Sequence, residues 1–85
     1  MPLQIFAPAE ETIRLIRDAV LQALPEARVE VSGAGGHFEI RVVAREFEGK
    51  ATLARQRLVY AAIAHLMRGD GAPVHAIDRL DTATP

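Results

Sequence analysis

Cysteine is absent from this chain of 85 residues. That excludes disulfide staples and any thiolate metal site made from its own side chains. Tryptophan is absent as well, and one tyrosine and three phenylalanines are the only large aromatic rings, which leaves few platforms for stacking single-stranded bases. Neither charge sign dominates: ten basic residues stand against eleven acidic ones, so no overall positive field draws the chain to nucleic acid or to an anionic membrane. No apolar run approaches the roughly 18 residues of a transmembrane helix. Residues 1–6 (MPLQIF) lack the basic n-region and apolar core of a signal peptide, so a cytoplasmic protein without a membrane partner is expected. Serine occurs once, at Ser32 before Gly33, outside any nucleophile-elbow context. It reads as a strand end bonded to turn backbone, and with no nucleophile and base to name, an enzyme is not expected.

What is present is the makeup of a small globular protein, 49% hydrophobic and 25% charged, too apolar for a disordered chain. The length suits one domain, residues 1–85, because single domains cluster near about 100–150 residues. A chain this short buries only about 60% of its unfolded surface, so a partner or bound group would add useful support.

Pro8 suits the first turn of a helix, and Glu10 and Glu11 follow it where the positive end of the helix dipole favours carboxylates. Ile13, Ile16, Val20 and Leu24 then recur at spacings of three and four, predicting a helix over about residues 8–24, ended by Pro25. Residues 28–32 (RVEVS) and 37–42 (HFEIRV) alternate polar with apolar, the period of a half-buried strand. The glycines of the GAGG stretch between them permit a hairpin loop. They do not form a dinucleotide fingerprint, which would open a helix rather than join two strands. Val29 and Val31 share the core face with Phe38, Ile40 and Val42, which sends His37, Glu39 and Arg41 to the other face.

A second helical stretch spans about residues 52–67, as one helix or two, with Leu58, Ala61, Ala62 and Leu66 as its apolar stripe and Gly69 and Gly71 beyond its end. Pro73 introduces a short strand over residues 74–80, and residues 81–85 read as a tail with nothing to bury. The expected class is α+β, with helices on one face of a three-stranded mixed sheet. If the second and third strands are neighbours they run parallel, because a helix joins them.

His37 begins the second strand and His75 lies near the start of the third, while His65 sits within the second helical stretch. Parallel neighbours would bring the first two to one end of the sheet, where two imidazoles make half of a metal site. Parity leaves their relative direction open: a core set of Val74, Ala76 and Leu80 turns His75 outward with His37, whereas Ile77 shares the parity of His75. A separate feature is the basic run Arg41, Arg45, Lys50, Arg55 and Arg57, opposed only by Glu46 and Glu48. A basic turn opening a helix is suited to phosphate contact, but with Phe47 and Tyr60 the only nearby aromatics a solvated face is the favoured reading.

Together, residues 32–43 (SGAGGHFEIRVV), 47–50 (FEGK), 55–60 (RQRLVY), 74–77 (VHAI) and 84–85 (TP) resemble the BolA family. The resemblance implies a KH-like fold of the type II topology and a partnership with a monothiol glutaredoxin. It further implies that the two proteins would share a 2Fe-2S cluster, in iron-sulfur trafficking or iron sensing, with thiolates from the glutaredoxin and glutathione. On this chain the ligands would be His75, which matches the family's C-terminal-region histidine, and His37, the nearest match to a ligand from the loop between the first two strands. Imidazole in place of thiolate raises a cluster's potential, and affinity falls as imidazoles protonate in acid. The family also includes transcription regulators of stress response and cell morphology, so DNA bound through Arg45, Lys50, Arg55 and Arg57 is the alternative. Alone, the protein is expected to be a monomer or weak homodimer.

Two departures from the family pattern stand out, and one from the nucleic-acid-binding KH domains. Ala34 and glycines fill the hairpin loop where many relatives have Cys or an extra His. The chain is one residue longer between His75 and Thr84, near Asp78 and Arg79, which predicts a bulge or a shifted strand end. The basic turn lacks the full Gly-x-x-Gly loop with which KH domains clamp a nucleic-acid backbone.

Overall fold

The computed structural model describes residues 8–85, and the N-terminal stretch read above for a signal peptide lies outside them. Helix α1 (Ala9–Ala23) begins where Pro8 fixes the chain entry: the Pro8 carbonyl accepts hydrogen bonds from the N–H groups of Glu11 and Thr12 at 3.0 and 3.2 Å. Glu10 and Glu11 occupy its first turn. Its inner face buries Thr12, Ile16, Ala19 and Val20, and Leu24, also buried, closes the helix by donating its N–H to Val20.

Strands β1 (Arg28–Ala34) and β2 (His37–Val43) pair antiparallel with Val29 opposite Val42 and Val31 opposite Ile40. The shared apolar face is the one the alternation predicts. Strand β2 starts at His37 as expected, but β1 runs two residues further toward the turn, leaving Gly35 and Gly36 as the loop, with φ of +62° and +83°. Two successive positive φ values are what a two-residue hairpin with the native strand twist requires. Ser32 therefore lies inside β1, opposite Glu39, rather than ending the strand.

After β2, a 3-10 turn (Arg45–Phe47) drops the fully buried Phe47 into the core. Helix α2 (Thr52–Ile63) follows, and its last turn tightens into a 3-10 segment (Ala64–Leu66), which answers the question of one helix or two. The buried positions are Val59, Ile63 and Leu66, while Leu58 and Ala61 are exposed. The predicted stripe was thus one residue out of phase for most of its length. Leu53, Leu58, Val59, Tyr60 and Ile63 put apolar groups nearly all round this helix, so periodicity gives little direction.

Strand β3 (Ala76–Ala83) lies parallel to β2 at the sheet edge, in the order β1-β2-β3. Both helices pack on one face of this mixed sheet, and the core joins Ile16 and Val20 of α1, Phe38, Ile40 and Val42 of β2, and Val59 and Ile63 of α2. The α+β class and element order are as expected, but β3 starts and ends later. Residues 81–83 are strand rather than tail: Asp81, Thr82 and Ala83 oppose Arg41, Val42 and Val43, and Ala83 accepts a bond from Ala44. The full length of β2 presents backbone groups on this side, and a shorter β3 would leave them unpaired.

The register slips once. Phe38 opposes Ile77, but Glu39 opposes Arg79, so Asp78 is an extra residue bulged out of the ladder. The bulge resets the alternation, so that Ile77 and Leu80, three apart in sequence, both oppose core residues of β2 and both pack on the core. That is why parity in the sequence pointed two ways.

The corrected phase of α2 is testable by urea denaturation. Ile63→Ala should lose about 2–5 kcal/mol of stability through the cavity it leaves, whereas Leu58→Ala should change it by less than about 1 kcal/mol.

Candidate functional site

The parallel pairing of β2 with β3 brings two imidazole-bearing segments to one end of the sheet. His37 is the first residue of β2, and His75 immediately precedes β3. They are tied through the hairpin turn: the Gly36 carbonyl accepts hydrogen bonds from both the His75 and the Ala76 N–H, at 2.8 and 3.0 Å. The His75 side chain lies directly against Gly36. A Cβ there would stand 3.1 Å from His75 Cγ, on a backbone whose φ is +83°. Glycine is thus demanded twice at this position, by conformation and by the imidazole beside it.

His37 turns to a different neighbour. Its Nδ1 is 3.1 Å from Oδ1 of Asp78, the bulged residue of β3, with 59% and 55% of the two side chains exposed. The residue directly opposite His37 is Ala76, so the two imidazoles share an end of the sheet without being a cross-strand pair. Among the described residues no group of three or more His, Cys, Asp or Glu side chains could hold a metal ion. Two imidazoles at one end of the sheet supply two of the donors that a metal centre uses. His65 is exposed in the 3-10 segment after α2.

The basic run lies elsewhere. Arg45, at the start of the 3-10 turn, follows the far end of β2, so about 20 Å of strand separates it from His37. Arg55 is partly committed to structure: its Nε donates to the Lys50 carbonyl at 2.8 Å, and its guanidinium sits 5.9 Å from the Phe47 ring centroid. It holds the turn into α2 and stacks on the buried ring by a cation–π contact. Arg45, Lys50 and Arg57 are exposed.

Two features escaped the sequence reading. One is the Asp78–His37 contact, for which the only signal was the extra residue near positions 78 and 79. The other is a charge lattice on the uncovered sheet face. Glu30, Arg41 and Asp81 line up across the three strands, Glu39 stands beside Arg79, and Arg79 Nε donates to Asp81 Oδ2 at 2.9 Å. Opposite charges as neighbours stabilise a solvated sheet face modestly.

A family model for BolA-like protein matches residues 6–85. The chain belongs to the BolA-like family. It is 38% identical over 77 residues to human BolA-like protein 1, covering 82% of this chain and 54% of that one. A solved bolA homologue from Coxiella burnetii is 41% identical with a TM-score of 0.68, over 82% of this chain and 86% of that one. The BolA domain of SufE1 from Arabidopsis thaliana superposes with a TM-score of 0.73 at 26% identity, over 93% and 96% of the two chains. This BolA-like chain spans roughly half to two thirds of the length of several of the curated relatives it matches, human BolA-like protein 1 among them. Among the described residues no helix is long and apolar enough to cross a membrane.

Substitution at the turn should separate the two demands on glycine. Gly36→Ala is expected to cost about 1–3 kcal/mol through backbone strain and to shift the His75 ring resonances. Gly71→Ala, with open space around the position, should be close to neutral by thermal melting.

Proposed function

We propose that this BolA-like protein is a non-enzymatic cytoplasmic adaptor that partners a monothiol glutaredoxin and contributes imidazoles to a shared 2Fe-2S cluster, in iron-sulfur trafficking or iron sensing. The reading rests on one observation: in a chain without cysteine, parallel pairing delivers His37 and His75 to the same end of the sheet, with the His75 backbone anchored on Gly36. Glutaredoxin and glutathione supply the thiolates in this arrangement. His75 is the principal ligand from this chain and His37 the second.

The chemistry of the donors supports it. A cluster with imidazole replacing thiolate has a higher reduction potential and less negative charge. His37 and His75 both lie at the solvent-exposed surface, and in Arabidopsis thaliana a BolA domain is part of SufE1.

Adding the purified protein to a cluster-loaded monothiol glutaredoxin should change the visible absorption and circular dichroism of the cluster. His75→Ala should abolish most of that change. Identical spectra for the wild type and His75→Ala would remove His75 as a ligand.

The exposed cations at the opposite end of β2 favour a second reading, a DNA-binding transcriptional regulator using Arg45, Lys50 and Arg57, with Arg55 shaping the turn. Binding to duplex DNA should then weaken steeply as salt rises, and charge removal at Arg45, Lys50 and Arg57 together should reduce the salt slope by about 3. A flat titration at low salt would exclude this second role.

A further inference from the structure

We propose that Asp78 is a positioning residue for His37: its carboxylate takes the Nδ1 hydrogen bond and holds the imidazole in the tautomer whose Nε2 faces a metal centre with its lone pair free. The inference rests on the reading of His37 as a cluster ligand and adds a residue to it.

The geometry carries the first step. His37 Nδ1 and Asp78 Oδ1 are 3.1 Å apart, within hydrogen-bonding range. A carboxylate only accepts, so the ring proton in this bond sits on Nδ1. In the neutral ring Nε2 is then bare. Imidazoles that bind metals commonly donate their second nitrogen to a carboxylate in this way, which fixes the tautomer and raises the basicity of the ligating nitrogen.

The strand register carries the second step. Asp78 is the one residue of β3 with no partner in β2, because the pairs pass from Phe38 with Ile77 to Glu39 with Arg79. Removing it would leave Ile77, Arg79 and Leu80 opposite Phe38, Glu39 and Ile40 in an unbroken ladder, with the core pairs intact. The core therefore has no need of Asp78. Stability is a poor account of it too, since both side chains of the pair are more than half exposed and such pairs contribute little. What the bulge does is re-aim one carboxylate at His37. The adjacent cation does not compete, because Arg79 is turned to Asp81 at 2.9 Å.

Two variants test this, Asp78→Ala and deletion of Asp78, the second of which keeps the strand register. Two-bond nitrogen–proton correlation spectra at about pH 8, where an ordinary imidazole is neutral, should show wild-type His37 with its proton on Nδ1. In both variants His37 should revert to the Nε2-protonated form that predominates for a solvated imidazole, with the backbone amide spectrum away from residues 37 and 78 preserved. In titrations against cluster-loaded monothiol glutaredoxin, read by visible circular dichroism, both variants should need about tenfold more protein to reach the midpoint. An Nε2-protonated His37 in the wild type, or a tautomer unchanged by Asp78→Ala, overturns the inference. If His37→Ala shifts the titration and Asp78→Ala does not, the role of Asp78 alone falls. If His37→Ala shifts nothing, the ligand reading of His37 fails and takes the inference with it.

Discussion

Everything at the candidate site depends on the parallel pairing of β2 with β3. Parallel neighbours start at the same end, and here the starts carry His37 and His75. The pairing is possible because α2 spans the crossover that parallel strands require, and because Phe38, Ile40 and Val42 on β2 present one buried face to both helices. An antiparallel third strand with the same sequence would have put the two imidazoles at opposite ends.

The same pairing accounts for the separation of the two chemistries. Imidazoles gather where β2 begins and cations where it ends, with the charge lattice of Glu30, Arg41 and Asp81 and of Glu39 and Arg79 between them on the open face. That lattice neutralises itself locally, in keeping with a chain whose basic and acidic residues nearly balance. Arg55 further divides the basic group, since a side chain that braces Lys50 and covers Phe47 is only partly available to a partner.

Alternation and glycine chemistry made β1, β2 and their turn legible, because one face is buried and the other wet, and a one-residue slip would expose every core side chain. Helix α1 was legible for a similar reason, with Pro8 and Pro25 at its ends. Helix α2 was not, because its apolar residues surround it and only the tertiary contacts of Val59 and Ile63 select a face. The end of β3 was missed because Asp81, Thr82 and Thr84 look polar and terminal, whereas the need to pair the rest of β2 outweighs their composition. At the site, family motifs singled out His37 and His75, and the spacing hinted at a bulge near Asp78. That the bulged carboxylate meets His37 follows from a contact between residues 41 positions apart, which no local pattern encodes.

The Gly36 carbonyl, which receives the N–H groups of both His75 and Ala76, also bears on the order of assembly. A hairpin such as β1–β2 closes through contacts near in sequence, whereas the bond from His75 back to Gly36 must close a long loop, an entropic cost recovered only once the crossover helix has packed. A partly folded chain can therefore display the turn and His37 but not the two imidazole segments together. The paired end of the sheet is a feature of the completed fold, and nascent or unravelled copies would display only half of it.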